Sequence, residues 1–325
     1  MRSAGDWLTC PHVVELLLRL DEVVASALLV ADPETHRVAS HLVARRSKHV
    51  RPALFLLAAE FGCGVETELL RAAAALELLH VASLYHDDVV DRATTRRGGT
   101  SVNAAWTNSV ATAGGVFLFA RATALLASLG EEVNRTASAA VTRLCTGQLR
   151  EVEHAYDVDI PLEEHLDILA GKTATLFELP CRLGGQLAGL VPAQSASLVE
   201  YARELGLAFQ LADDALDFTG TVERLGKTTL TDISQGIYSF PVIHVLRGSG
   251  RDGKHLRDLL RRARLSEDEL GAIAAIVRGS DALAAARRQA SECATRARDA
   301  LRGLPEGPAL RSLRALAAFS VSRSH

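Results

Sequence analysis

The chain has 325 residues, of which 48% are hydrophobic and 23% are charged, and its formal net charge is -3. This composition argues against a disordered chain, and the acidic balance disfavours a strongly basic nucleic-acid binder. Five widely spaced cysteines without a CxxC pair argue against a disulfide framework and against a cysteine zinc site. No basic segment leads into an apolar run at the N-terminus, and the uncharged stretch 98–120 contains many Ser, Thr and Asn residues. The sequence therefore predicts a soluble, cytoplasmic protein without a membrane span.

Helical periodicity extends along almost the whole chain. The first amphipathic pattern includes Leu16, Leu20 and Val24, which lie on one face of a helix. Further helical stretches are predicted at residues 66–90, 131–155, 162–190, 195–218 and 281–301. No stretch alternates in the manner of a strand, and no linker rich in Gly, Pro or Ser divides the chain. We therefore predict an all-α fold of about ten or more helices, in a single domain over residues 1–325.

Two aspartate motifs stand near the predicted C-terminal ends of long helices. The first motif, HDDVVD, contains Asp87, Asp88 and Asp91, and the second, ADDALD, contains Asp213, Asp214 and Asp217. The first and last aspartates of each motif are four residues apart, which places their carboxylates on one helix face, where they repel. The negative end of the helix dipole adds to this cost. A hard divalent cation would relieve it, and Mg²⁺ binds through one or two carboxylates together with substrate phosphates. Solvated acidic helix ends are the simpler alternative.

The chain is unusually poor in lysine, since only four of its 36 basic residues are Lys. Lys48 lies in SKHVRP, Lys172 in GKTATL and Lys227 in LGKTT, whereas Lys254 lies in DGKH and is interpreted as an ordinary surface residue. A pair of arginines also follows the first aspartate motif. Both cation types bind phosphate, Lys as a compact charge and Arg as a planar fork. These residues suit an enzyme that handles two diphosphates, although any one of them could belong to a solvated surface.

These motifs in this order resemble the trans-isoprenyl diphosphate synthases, also called polyprenyl synthetases, of the medium- and long-chain type. The resemblance rests on SLYHDDVVD with RRG behind it, on GKT, and on FQLADDALD followed by GK. It covers about Arg46 to Pro241 and extends weakly to Arg323. It implies a helical bundle around a deep apolar pocket, and it implies homodimers.

The resemblance also implies a role for individual residues. Three Mg²⁺ ions would be bound by Asp87, Asp91 and Asp213, with support from Asp88, Asp214 and Asp217. The allylic diphosphate would be held by Arg96, Lys172 and Lys227. The diphosphate of isopentenyl diphosphate would be held by Lys48, Arg51, His80 and Arg97. Thr173 and Gln210 would lie beside the reacting carbons and steady the developing carbocation.

Product length is expected to depend on the helix that carries the first motif. Ala82 and Ser83 lie one turn before Asp87, and helical side chains tilt toward the N-terminus, so both are expected to face the growing chain. Aromatic residues at these positions stop elongation early in the family, and both residues here are small. We therefore predict a product of more than twenty carbons, although small residues at this point also suit close helix packing.

The chain departs from the family pattern at several positions. Ser47 and His49 stand where Gly and Arg are usual, and Thr107 replaces a usual Gly. Val116 replaces an Asp, and Leu230 replaces a Gly. The segment GIYSFP (236–241) replaces one that more often carries Lys and Thr, while Asp232 matches the pattern. Loss of the arginine at His49 predicts weaker or pH-dependent binding of isopentenyl diphosphate.

Three alternatives stay open at this point. A geranylgeranyl diphosphate synthase would use the same site and stop at twenty carbons. A class I terpene cyclase would also ionise an allylic diphosphate over Mg²⁺, but it usually has only one such aspartate motif and needs no isopentenyl site. A non-catalytic synthase subunit would be expected to lose aspartates from one motif, and both motifs are complete here.

Overall fold

The computed structural model describes residues 6–45, 47–219, 229–262 and 264–322, and almost all regular structure in these ranges is helical. The predicted all-α class is confirmed. The helices are α1 (Pro11–Ala27), α2 (Pro33–Ser40), α3 (Val50–Ala59), α4 (Glu66–Val90), α5 (Val102–Ala105), α6 (Asn108–Ala127), α7 (Glu131–Glu153), α8 (Leu162–Leu169), α9 (Thr175–Leu187), α10 (Pro192–Leu216), α11 (Thr229–Ser234), α12 (Phe240–Arg247), α13 (Arg251–Leu260), α14 (Glu267–Gly279), α15 (Ala282–Ala300) and α16 (Pro308–Ser322). A π-helical turn, Ala170–Ala174, joins α8 to α9.

A short hairpin follows α4, and the sequence pattern did not predict it. Strand β1 (Thr95–Arg96) pairs antiparallel with β2 (Gly99–Thr100). The two turn residues, Arg97 and Gly98, have φ of 52° and 72°, as the tight turns that suit twisted hairpins require. Strands of two residues are too short to show alternation, which explains why they escaped prediction.

The chain forms two compact units. The first comprises Met1–Ala140, Leu176–Glu200 and Ala300–Leu316. In this unit α4 packs against α1, α3 and α6. Every residue from Ala72 to Leu79 is buried, as expected for a helix that is apolar on all sides and lies at the centre of a core. The first aspartate motif stands at the C-terminal end of this central helix.

The second unit comprises Val141–Thr175, Tyr201–Asp299 and Ala317–His325. One of its apolar clusters joins Leu211 and Ala215 of α10 to Leu169 and Phe240. This cluster anchors the part of α10 that carries the second aspartate motif. The prediction of one domain over residues 1–325 stays a prediction.

Helix α6 is long and apolar enough to cross a membrane by length and composition, but a core helix of a soluble protein passes the same test. Gly114, Leu118 and Ala122 are buried on α6, and the helix packs on α4. Its Arg121 Nε donates a hydrogen bond to the carbonyl oxygen of Ala27 at 2.6 Å. These contacts are those of a helix packed within the first unit.

Candidate active site

The first aspartate motif occupies the last turn of α4. Asp91 is the C-cap residue, and its backbone N–H donates to the carbonyl oxygen of Asp87 at 2.8 Å. The two residues are therefore one helical turn apart on the same face, as predicted. Both side chains are half-buried, whereas Asp88 between them is fully buried.

The buried Asp88 forms an ion pair with the hairpin. Arg96 Nε donates to Asp88 Oδ1 at 2.6 Å. The second oxygen, Oδ2, is buried without a hydrogen-bond partner among the described residues. Burial raises the pKa of Asp88 even though the Arg96 charge opposes this. This unpaired oxygen, on an aspartate that lies between two half-buried carboxylates in the sequence, could accept a hydrogen bond from a water molecule that a bound cation holds.

The hairpin that carries the two arginines is fastened to the segment after α2. Arg45 Nη1 donates to the carbonyl oxygen of Arg96 at 2.8 Å, and Arg97 Nη1 donates to the carbonyl oxygen of Leu42 at 3.1 Å. His41 Nε2 lies 2.8 Å from the carbonyl oxygen of Thr100. Arg45 thus supports Arg96, and sequence reasoning missed it because the contact spans 51 positions.

Three of the four residues predicted for isopentenyl diphosphate are close enough to influence one another electrostatically. Burial and the charge of Arg97 lower the pKa of Arg51, to about 10, which leaves the guanidinium charged at neutral pH. Burial and the charge of Arg51 hold the pKa of His80 well below its usual value, so the imidazole is neutral. Arg51 Nε and His80 Nδ1 are buried and have no hydrogen-bond partner in the described ranges. The fourth residue, Lys48, is exposed.

A buried carboxylate that was not predicted lies among these basic residues. Glu77 Oε1 is 3.6 Å from Arg97 Nη2, and Glu77 Oε2 is 3.4 Å from His49 Nδ1. Burial on its own would raise the pKa of Glu77, but the neighbouring His49, His80 and Arg97 outweigh it and lower the pKa to about 2. The sequence contained a signal, because Glu77 is the only charge in the run from Ala72 to Leu79.

Two of the departures from the family pattern have a structural reason. The Ser47 hydroxyl accepts the backbone N–H of His49 at 3.2 Å, which supports the left-handed backbone of His49 at a φ of 46°. Thr107 is the N-cap of α6, and its hydroxyl accepts the N–H of Val110 at 3.2 Å. Val116 is 57% exposed, and nothing in the structure explains its presence.

The second aspartate motif repeats the arrangement of the first. The N–H of Asp217 donates to the carbonyl oxygen of Asp213 at 2.9 Å, and both side chains are half-buried. Asp214 between them is buried, and its two oxygens accept from Gln210 Nε2 at 2.9 Å and from the Phe240 N–H at 3.1 Å. Burial raises the pKa of Asp214 to about 6. The second carboxylate of each motif is thus bound by the protein.

The predicted pair Thr173 and Gln210 is brought together in the second unit. The Thr173 hydroxyl donates to Gln210 Oε1 at 3.2 Å. Because Gln210 also donates to Asp214, both ends of its carboxamide are occupied and its orientation is determined.

Lys172 lies in the π-helical turn, a feature that is frequent at functional sites. Its Nζ donates to Glu151 Oε2 at 2.5 Å, and Gln148 Nε2 donates to the same oxygen at 3.0 Å. A Cβ atom at Gly147 would lie 2.5 Å from the Lys172 backbone nitrogen, so glycine permits α7 to approach this turn. Glu151 was missed because no local pattern links it to a lysine 21 positions away.

For some of the residues named from the sequence, the structure does not describe the residue or its side chain. Lys227 and Arg323 are outside the described residues, and the side chain of Leu230 is likewise not described. Asp232 accepts the Ile237 N–H through its backbone carbonyl at 2.9 Å. This bond closes the turn after α11.

Ala82 and Ser83 lie one turn before Asp87, as the helix requires. Ala82 is fully buried, and the Ser83 hydroxyl donates to the carbonyl oxygen of His80 at 2.8 Å. Leu78 and Leu79 are also buried, one turn earlier. This stretch of α4 therefore carries side chains that are either small or apolar.

The donor sets of the motifs fit magnesium. No group of three or more His, Cys, Asp and Glu side chains within the described ranges is close enough to hold a metal ion by itself. Each motif instead offers two half-buried carboxylates one turn apart. Mg²⁺ is commonly held by one or two carboxylates, with substrate phosphates and water completing its octahedron. The unpartnered oxygen of Asp88 provides an acceptor for such water.

Residues 32–277 match the family model described as polyprenyl synthetase. The chain belongs to this family. A nonaprenyl diphosphate synthase of Mycobacterium tuberculosis is 34% identical over 320 residues, which cover 98% of this chain and 96% of that protein. A geranylgeranyl pyrophosphate synthase from Lactobacillus brevis superposes with a TM-score of 0.92 at 29% identity, covering 99% of this chain and 100% of that one. A polyprenyl synthase from Caulobacter crescentus, solved with calcium and isoprenyl diphosphate, gives a TM-score of 0.91 at 30% identity, covering 99% and 98%.

These comparisons confirm the enzyme class and the family that the motifs predicted. The protein is a prenyltransferase of the trans-polyprenyl diphosphate synthase type. The family uses isoprenyl diphosphates and a divalent metal, in line with the calcium and isoprenyl diphosphate bound in the Caulobacter structure. Neither the cyclase nor the non-catalytic subunit is favoured, since the match extends through both aspartate motifs.

Proposed function

We propose that this polyprenyl synthetase joins isopentenyl diphosphate to an allylic diphosphate and forms a product of more than twenty carbons. The observation that carries the proposal is the arrangement shared by the two aspartate motifs. In each motif two half-buried carboxylates lie one turn apart, beside a buried third carboxylate that protein groups bind. Such a pair is costly without a cation and useful with one.

Three Mg²⁺ ions are proposed, with Asp87 and Asp91 as ligands in the first motif and Asp213 in the second. Asp88, Asp214 and Asp217 support these ligands. Bound magnesium would supply Lewis-acid stabilisation of the charge on a departing diphosphate. The calcium in the Caulobacter polyprenyl synthase supports a site for divalent ions.

The chain's own residues bind and orient the allylic substrate. Lys172, Lys227 and Arg96 are proposed to bind its diphosphate, and Lys172 would exchange its contact with Glu151 for a phosphate oxygen. The allylic C–O bond breaks and its electron pair leaves with the diphosphate. Because the Gln210 carboxamide is already oriented, the Thr173 hydroxyl that donates to it keeps its lone pairs available to the allylic cation.

The second substrate is proposed to bind in the first unit. Lys48, Arg51, His80 and Arg97 would hold the diphosphate of isopentenyl diphosphate, whose double bond attacks the allylic cation. This attack forms the new C–C bond and leaves the positive charge on the isopentenyl unit, which then loses a proton to the released diphosphate and so forms the new double bond of the product. The apolar surroundings keep water from quenching the cation.

Small residues before the first motif support a long product. Ala82 and Ser83 are proposed to face the growing chain. The relative from Mycobacterium is named for a nine-unit product, whereas the Lactobacillus structure with the same fold is named for a four-unit product. The fold is thus compatible with either length, and the side chains along α4 are proposed to decide it.

Incubation of the full chain with labelled isopentenyl diphosphate, Mg²⁺ and geranyl, farnesyl or geranylgeranyl diphosphate tests the proposal. The expected result is label in products heavier than geranylgeranyl diphosphate by mass spectrometry. Elongation that stops at twenty carbons would favour the geranylgeranyl synthase. A product formed from the primer alone would identify a cyclase, and no reaction would indicate a subunit that needs another chain.

A homodimer is proposed as the assembled form. Only 33% of the apolar stretch of helix α6 is buried, which supports the presence of a further protein surface there. Light scattering of the purified chain should give twice the 34.7 kDa monomer mass. The monomer mass would contradict the proposal. A cytoplasmic location stays a prediction.

A further inference from the structure

The buried carboxylate of Glu77 lies at the centre of a polar cluster in the first unit, which we term the Glu77 cluster: Asp21, His49, Arg51, Glu77, His80 and Arg97. The side chain of Glu77 is only 3% exposed. Its two oxygens lie 3.6 Å from Arg97 Nη2 and 3.4 Å from His49 Nδ1. His49 Nε2 in turn lies 3.3 Å from Asp21 Oδ1. A chain of contacts therefore runs from α1 through His49 to α4 and the hairpin.

A negative charge is an unexpected feature of a site proposed to bind a diphosphate. Electrostatics alone would favour its removal, because it repels the ligand and weakens the local positive potential. Burial of an ionised carboxylate is also costly unless it is paired. Glu77 must therefore provide something other than charge attraction to the ligand.

The geometry of Arg97 shows what Glu77 can provide. Arg97 has a left-handed backbone, with φ of 52°, and its side chain is 13% exposed. One terminal nitrogen donates to the Leu42 carbonyl oxygen, and the other faces Glu77. These contacts hold the plane of the guanidinium, which a long side chain would not keep by itself.

His49 extends this support to α1. Its ring is buried between Asp21 and Glu77, two carboxylates from separate helices. Its left-handed backbone immediately precedes α3, the helix that carries Arg51. Neither ring nitrogen makes a hydrogen bond within the described ranges, so it is the close approach to these two carboxylates that places the ring at the start of the helix that presents Arg51.

We propose that Glu77 is a positioning residue that holds Arg97 and, through His49, the start of α3 in the arrangement that binds isopentenyl diphosphate. This inference rests on the proposed assignment of Arg51, His80 and Arg97 to that substrate. Glu77 itself does not touch the ligand. It orders the cations that do.

Calorimetric titration of isopentenyl diphosphate into the full chain without divalent cation tests this role, together with steady-state kinetics in Mg²⁺. Glu77→Gln should weaken binding about tenfold and raise KM for isopentenyl diphosphate similarly, with KM for the allylic substrate and kcat within about twofold. If the carboxylate acted only as a counter-charge, Glu77→Gln would instead tighten the binding of isopentenyl diphosphate, because it would remove a repulsive charge. Unchanged or tighter binding would therefore overturn the proposal.

Two further variants keep the outcome clear. Glu66→Gln makes the same chemical change at an exposed position of the same helix, paired with Arg19, and should leave binding unchanged. His49→Gln should weaken binding only about threefold, since the contact of Glu77 with Arg97 remains. If circular dichroism shows that Glu77→Gln does not fold, the His49 variant tests the proposal in its place. Unchanged binding in His49→Gln would count against the proposal. If the unaltered chain binds no isopentenyl diphosphate, the assignment of the site fails instead.

Discussion

Arg96 and Asp88 form a short ion pair, with 2.6 Å between Arg96 Nε and Asp88 Oδ1. The carboxylate is fully buried and the guanidinium is 30% exposed. Asp214 has the same place in the second motif, where Gln210 and the Phe240 N–H bind it instead. The middle aspartate of each motif therefore supports the motif from within, and the outer two remain partly accessible.

This division of roles predicts different effects for neighbouring aspartates. Asp88→Asn should lower the free energy of unfolding by about 1–3 kcal/mol, because it leaves Arg96 without its charged partner. Asp87→Asn should change stability by less than about 0.5 kcal/mol, yet raise the Mg²⁺ concentration needed for half-maximal activity. Urea unfolding and magnesium titrations separate the two effects. Equal shifts in the magnesium requirement would contradict the assignment.

Lysine substitutions test the proposed diphosphate contacts. Lys172→Ala should reduce kcat/KM for the allylic substrate on the order of a hundredfold, since a desolvated cation at the leaving group is lost. Lys254→Ala is the matched control, because Lys254 is exposed on α13. Lys227→Ala is expected to resemble Lys172→Ala. Equal activities of the Lys172 and Lys254 variants would show that Lys172 only pairs with Glu151.

The close approach of α7 to the π-helical turn gives a test at two glycines. In Gly147→Ala the new Cβ would lie 2.5 Å from the backbone nitrogen of Lys172. The turn must therefore move, and activity should fall on the order of tenfold. In Gly271→Ala nothing lies within 4 Å of the new atom, and this helical alanine should stabilise the fold by about 0.5–1 kcal/mol. Activity and melting temperature of both variants check this contrast. A fully active Gly147→Ala enzyme would show that the turn tolerates displacement.

Product length is predicted to respond to Ala82. Ala82→Phe should shorten the product by about one or more isoprene units, because a ring would close the space one helical turn before Asp87. Thr67→Phe places the same ring at an exposed position of α4 and should leave the product unchanged. Mass spectrometry of the products distinguishes these results. An unchanged distribution with Ala82→Phe would place the growing chain elsewhere.

A buried histidine away from the motifs predicts how stability depends on pH. His165 is 7% exposed, and burial lowers its pKa from 6.5 to about 4. The unfolded chain therefore takes up the proton first as the pH falls, so stability declines between about pH 6.5 and about pH 4. Relative to neutral pH, His165→Leu should reduce this decline by about 2 kcal/mol near pH 5. Urea unfolding at several pH values measures it, and parallel curves for the two proteins would contradict it.

Most of the helices could be predicted from the sequence. The stretch 66–90 forms α4 with the same limits, and α7, α10 and α15 lie within about three residues of their predicted ranges. Helical hydrogen bonds connect residues four apart, so periodicity and breaks report them directly. The pairing of Asp87 with Asp91, and of Asp213 with Asp217, follows from the same local rule.

Contacts between distant residues were decided only by the tertiary structure. Nothing near Asp88 indicates that it, and not Asp87, is the aspartate buried against Arg96. Nothing near Lys172 identifies Glu151 as its partner, and the position of Glu77 between His49 and Arg97 depends on three separate segments of the chain. Burial and charge pairing arise when helices pack, because packing sets which atoms lose water and which partners come within reach. The sequence by itself thus determined which helices form and which carboxylates share a face, while packing determined which of them are left accessible for a metal ion.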